Sequence, residues 1–114
     1  MAERLGRLEQ MMLFAILRLD DDAYGATIRR EIKERIGRSL TTGAIYTTLR
    51  RLDERGLVSS WVGEPTAERG GRRKKFYRLE VGGLQALERS WTEIREMSVG
   101  LSAKLNRRLE ESEG

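Results

Sequence analysis

The sequence predicts a mainly α-helical chain with one small β-hairpin and a long C-terminal helix. Three features carry that expectation. Apolar residues recur at helical spacing through the first fifty residues, one β-branched and aromatic stretch then breaks that period ahead of a cationic loop, and a heptad-like apolar repeat begins at Leu84.

The first helix is expected over Leu5 to Leu19, where Leu5, Leu8, Met11, Met12, Ala15, Ile16 and Leu19 define a wide apolar face. Asp20-Asp21-Asp22 interrupts it and can cap the next helix. Ile28, Ile32 and Ile36 fall at strict i, i+4 spacing on that second helix, with Gly37 as its stop. Thr41 or Thr42 can cap a third helix, whose inward stripe is Ile45, Leu49 and Leu52 and which Gly56 closes. Its outward side holds Thr42, Gly43, Tyr46, Thr47, Thr48 and Arg50. Residues 57–62 and 76–79 read as strands, joined by a polar loop with Pro65, Gly70 and Gly71. From about Gly83 a single helix of roughly 26 residues, about 39 Å long, carries Leu84, Leu87, Trp91, Ile94, Leu101 and Leu105 as an a/d seam, weakened locally by Ser98 and Gly100.

Composition narrows the chemistry. The 114 residues suit one domain, or one domain with an appendage. With no cysteine and no histidine, thiolate chemistry, the commonest general base and the commonest metal ligand are all missing, so neither an enzyme, a metal site nor a cofactor is expected. No apolar run reaches the roughly 18 residues of a membrane span, and the charged start is not followed by a signal-type cleavage site, so a cytoplasmic protein without membrane contact is expected. The net charge of +4 is unevenly distributed. Residues 1–79 hold 17 Lys/Arg against 11 Asp/Glu, and residues 80–114 hold 5 against 7. Six cations and no acid lie between Arg69 and Arg78.

Two helices across a short turn, then a hairpin with a basic tip, describe a winged helix-turn-helix. Small and hydrogen-bonding residues at the start of helix three suit close approach to base edges and phosphates, with Gly43 letting the backbone come near. Arg50 can reach a phosphate or a guanine edge. Arg69, Arg72, Arg73, Lys74 and Lys75, beside flexible glycines, suit a wing that follows the phosphate backbone of double-stranded DNA. The expected organisation is a DNA-binding unit over residues 1–80 and a dimerisation helix over 81–114 that pairs with a second copy. Trp91 on the seam, with Met11, Met12 and Ala15 on the first helix, forms a hypothetical pocket for a small aromatic effector. Two other readings use the same surfaces: a winged-helix module that contacts protein without reading DNA, and a binder of structured RNA.

The residues also resemble the PadR family of prokaryotic transcriptional regulators. The resemblance lies in Leu13-Phe14-Ala15-Ile16-Leu17, Tyr24-Gly25, the run from Leu40 to Leu52, Gly56-Leu57-Val58, and Arg73-Lys74-Lys75-Phe76-Tyr77-Arg78-Leu79. It spans about residues 5–110 and implies a regulator, usually a repressor, bound as a homodimer to an inverted repeat. It further implies a phosphate contact at Tyr24, a DNA-facing Tyr46 with the start of its helix, and the family's shorter branch with a single last helix. That helix would dimerise against the partner's first and last helices, and Trp91 would occupy the place where some members bind aromatic effectors. The chain departs from the family in three ways: Thr47 stands where proline is frequent, Glu80 where threonine is frequent, and the wing is longer than in many members.

Overall fold

The computed structural model describes residues 4–64 and 73–113. Helix α1 spans Arg7–Leu19, a 3₁₀ turn Asp20–Asp22, α2 Gly25–Ile36, α3 Thr42–Glu54, β1 Val58–Val62, β2 Lys75–Leu79, α4 Val81–Ser98 and α5 Ser102–Glu113. The two strands pair antiparallel, from Val58 opposite Leu79 to Val62 opposite Lys75. The Gly63 N–H donates to the Lys74 carbonyl at 2.8 Å, extending the ladder by one step.

Local chemistry explains the boundaries. Gly37 ends α2 in the left-handed region at φ 69°, and its N–H donates to the Lys33 carbonyl. Thr41 is the N-cap of α3, its hydroxyl oxygen accepting from the Ala44 N–H at 3.0 Å. Gly56, at φ 73°, turns the chain into β1. Glu80 caps α4 without a side-chain hydrogen bond, as expected of a residue longer than the favoured caps. At the entry to α2, buried Thr27 closes the turn: its hydroxyl accepts from the Tyr24 N–H and donates back to the Asp22 carbonyl.

The core gathers Met12, Leu13 and Ile16 of α1, Ile28 and Ile32 of α2, Ile45, Leu49 and Leu52 of α3, Val58 and Tyr77 of the hairpin, and Ala86 and Leu87 of α4. It corrects several expectations. Met12 is wholly enclosed by the core. Thr48 is buried, because it lies between Ile45 and Leu52 on the inward side of α3. Ile36 leaves the core at the last residue of α2 and is exposed, since the helix outruns its neighbours there. Leu87 is buried in the chain's own core instead of at a free seam, because the first half of α4 packs on α1. The buried Gln10 side chain donates to the Ser90 hydroxyl at 2.6 Å and fixes that packing. The core therefore extends past residue 80 into α4.

The single last helix is also corrected. The chain breaks between α4 and α5, where Val99 is extended and Gly100 takes φ 80°. A β-branched residue followed by a left-handed glycine ends the α4 ladder. Every residue of α5 is exposed in the single chain.

Candidate nucleic-acid interface

Helix α3 divides cleanly around its axis. Ile45, Thr48, Leu49 and Leu52 face the core, and Thr41, Thr42, Gly43, Tyr46, Thr47 and Arg50 are exposed along the other side. The geometry follows from the helical period: 43, 46, 47 and 50 share one face. The capped N-terminus leaves the first turn's remaining amides pointing outward at the place where Gly43 adds no bulk.

The turn between α2 and α3 is held from the α2 side. The Arg29 Nε donates to the Leu40 carbonyl at 2.7 Å, tying the turn to the helix before it. The start of α2 is in turn tied to the hairpin. Tyr77 N–H donates to the Ala23 carbonyl at 2.8 Å, and Tyr24 forms an isolated antiparallel bridge with Phe76. The residues before α2 thus act as a short third strand at the hairpin's edge.

Aromatic side chains continue that join. Tyr24 meets Phe76 edge-on with centroids 5.4 Å apart, and Phe76 stacks on Trp61 at 5.7 Å. The Arg78 guanidinium covers the Trp61 ring at 5.1 Å. The Lys74 ammonium lies 4.5 Å from the Tyr24 ring centre, and its Nζ donates to the Tyr24 hydroxyl at 3.3 Å. Tyr24 and Lys74, distant in sequence, therefore stand together at the base of the wing. Arg73 and Lys75 are exposed beside them. Arg69 and Arg72 lie outside the described residues.

A second set of expected residues lies between α1, α2 and α4. Met11, Ala15 and Trp91 line one concavity of about 460 Å³ between α1, α2 and α4, whereas Met12 points away from it into the core. Its remaining wall includes Phe14 and Ile36, with Arg18 and the ion pair of Arg35 with Glu31, 2.6 Å apart, among its lining residues. Phe14 meets Trp91 edge-on at 5.7 Å, and the Arg95 guanidinium lies 5.2 Å from the Trp91 ring centre. Phe14, Leu17, Ile32 and Ile36 are the apolar residues of this wall beyond those expected. Phe14 sits three residues after Met11, a spacing that could have revealed it; Ile36 could not be found without knowing where α2 outruns its neighbours. Of the expected seam, Leu84, Trp91, Ile94, Leu101 and Leu105 are exposed, joined by Met97, Val99 and Leu109, and only Leu87 is withdrawn.

Among the described residues no helix is long and apolar enough to cross a membrane. Three helices with α3 presented to solvent, followed by an antiparallel hairpin with a cationic base, define the winged helix-turn-helix class of proteins. The profile of the transcriptional regulator PadR-like family matches residues 13–89, and the chain belongs to that family of transcription regulators.

Solved structures agree. The chain is similar to a PadR family transcription regulator from Clostridium difficile R20291, at 25% identity and a TM-score of 0.72, with 88% of this chain and 99% of that one covered. It is similar to a PadR-like transcription factor from Bacteroides fragilis at 28% identity and a TM-score of 0.62, covering 83% and 89%. Bacillus subtilis PadR, solved in complex with operator DNA, matches at 25% identity and a TM-score of 0.60, over 75% of this chain and 47% of that longer one. None of the curated proteins compared matches the chain.

Proposed function

We propose that this chain is a repressor that binds an inverted-repeat operator as a homodimer and responds to a small aromatic effector. The observation that carries DNA binding is the joining of the helix-turn-helix, at the start of α2, to the cationic wing base. Tyr24, the N-cap of α2, touches Lys74 and Phe76 of the hairpin, and Arg29 of α2 holds the turn into α3 through the Leu40 carbonyl, so α3 and the wing are both tied to α2. The Bacillus subtilis relative bound to operator DNA supports the same use of the fold. In this reading Thr41, Thr42, Gly43, Tyr46, Thr47 and Arg50 meet the major groove, while Tyr24 and the wing cations Arg69, Arg72, Arg73, Lys74 and Lys75 meet phosphates.

Dimerisation is supported by the apolar stripe of α4 and α5. Trp91, Ile94, Leu101, Leu105 and Leu109 are exposed in the single chain, and a stripe of that length invites a partner helix. A two-fold pair would set two α3 helices about one DNA turn, roughly 34 Å, apart. The effector reading rests on the concavity beside Trp91. Its apolar wall suits a flat aromatic molecule, and Arg18 supplies positive charge beside an Arg35 already paired with Glu31. Such a ligand would act only by favouring one arrangement of the subunits over another.

A gel-shift titration with the DNA upstream of the chain's own gene, run at two salt concentrations, tests the reading. Saturable retardation that weakens steeply with salt supports it; no retardation of any duplex at low salt favours the protein-interaction module. For the effector, replacing Trp91 by Ala is expected to abolish ligand-dependent release from DNA. Unchanged release in that variant would place the effector elsewhere.

A further inference from the structure

The first residue of α2 lies beneath a side chain of the DNA-facing helix. Gly25 is buried, and a Cβ built on it would stand 2.5 Å from the Tyr46 Oη, 2.8 Å from its Cζ and 3.2 Å from its Cε1. The backbone does not ask for glycine here: Gly25 is absent from the positive-φ glycines, which are Gly37, Gly56 and Gly100. It occupies the first position of a helix, where most residues are accommodated. What the missing side chain provides is room for a phenol. The same cleft between α2 and α3 is lined by Gly25, Ala26, Arg29, Thr42, Ile45 and Tyr46.

We propose that Gly25 is a positioning residue for DNA recognition, seating the Tyr46 ring across the start of α2 so that its hydroxyl lies over Gly25 in the cleft that Thr42 also lines. The inference rests on the reading of α3 as the DNA-facing helix. A methyl group at residue 25 would press most closely on the far end of a ring that turns about two single bonds. The ring, half-exposed, can swing outward into solvent. The substitution therefore leaves the fold in place and moves the phenol. Alanine is also a better helix former than glycine, so the helix itself gains.

The test is a four-member set: the unaltered chain, Gly25→Ala, Tyr46→Ala and the double variant. Each is titrated by anisotropy against a labelled duplex taken from upstream of its own gene, and each is melted alone. Gly25→Ala is expected to unfold at or above the temperature of the unaltered chain and to bind about tenfold more weakly, the effect of losing one hydrogen bond to a charged group. In the Tyr46→Ala background the same change is expected to cost nothing further, because the residue it acts through is gone.

An equal loss in both backgrounds would overturn the proposal, since Gly25 would then act without Tyr46. So would unaltered binding by Gly25→Ala, or its failure to fold. If the unaltered chain binds no duplex, the DNA-binding reading fails, and this inference fails with it.

Discussion

Two glycines show how space and conformation separate at the residue scale. Gly25 faces the movable end of a side chain, but a Cβ on Gly83 would overlap the Leu57 carbonyl, a backbone atom that cannot turn away. The Glu80 N–H already donates to that carbonyl at 2.9 Å, which holds the start of α4 against the turn after α3. Gly83→Ala is therefore expected to destabilise the chain by about 1–3 kcal/mol, read by chemical denaturation. Thr41→Ala removes the cap of α3 and is expected to cost about 1 kcal/mol in the same measurement.

Tyr77 gives a pH dependence. Burial pushes its phenol above the usual 10.0, and the charges of Tyr46 and Asp53 add to the rise. The folded state thus holds that proton more tightly than the unfolded chain does. The stability this contributes is complete below pH 10.0 and is lost as pH climbs toward the folded value. Denaturation midpoints of Tyr77→Phe should fall less steeply above pH 10.0 than those of the unaltered chain. Parallel falls would remove Tyr77 as the cause.

Residue-level signals are legible in sequence where the physics is local. Gly37 and Thr41 announce a helix end and a helix start because each acts on its own few neighbours. Met12, Thr48 and Leu87 are not legible in the same way. A helical period gives the direction of a side chain, but the depth of burial depends on how far the neighbouring helices reach.

At the scale of elements, the hairpin is bound to the start of α2 more closely than any sequence pattern indicates. Phe76 is the centre of that join, half-buried between Tyr24 and Trp61. Phe76→Ala should cost about 2 kcal/mol, less than the loss of a fully buried ring, and should change Trp61 fluorescence. A wing freed from α2 should also bind DNA more weakly, even with all its cations retained. Two strands and a basic loop are visible in the sequence; the bridge from Tyr24 to Phe76 joins residues far apart in the chain, which periodicity cannot report.

The last helix teaches the opposite lesson. The heptad of apolar residues continues through the break, and the pattern reads as one rod. Ser98 and Gly100 mark the weak place, yet local conformation, not the apolar period, decides the outcome. Leu101 in the break and Leu105 and Leu109 of α5 are exposed. Replacing Leu105 by Glu is expected to shift the chain toward monomer in sedimentation velocity without lowering helicity, because that residue is exposed in the single chain.

Over the whole molecule, charge and exposed apolar surface are divided along the chain. Arg73 and Lys75 are exposed at the base of the wing, and the more acidic C-terminal segment carries the apolar stripe. In the proposed reading the first meets a polyanion and the second a second copy. The fold class and the face of α3 can be read from sequence because both follow from short-range periods. The concavity beside Trp91 cannot be drawn in full that way, since its wall comes from three helices whose crossing only the folded chain defines.

A joint measurement of stoichiometry and salt dependence tests this division most directly: sedimentation of the chain with a labelled duplex from upstream of its own gene, followed by an affinity titration across ionic strength. Two copies on each duplex, with affinity falling several decades in a linear log–log plot as salt rises, is the predicted result. One copy on each duplex, or an affinity indifferent to salt, would contradict it.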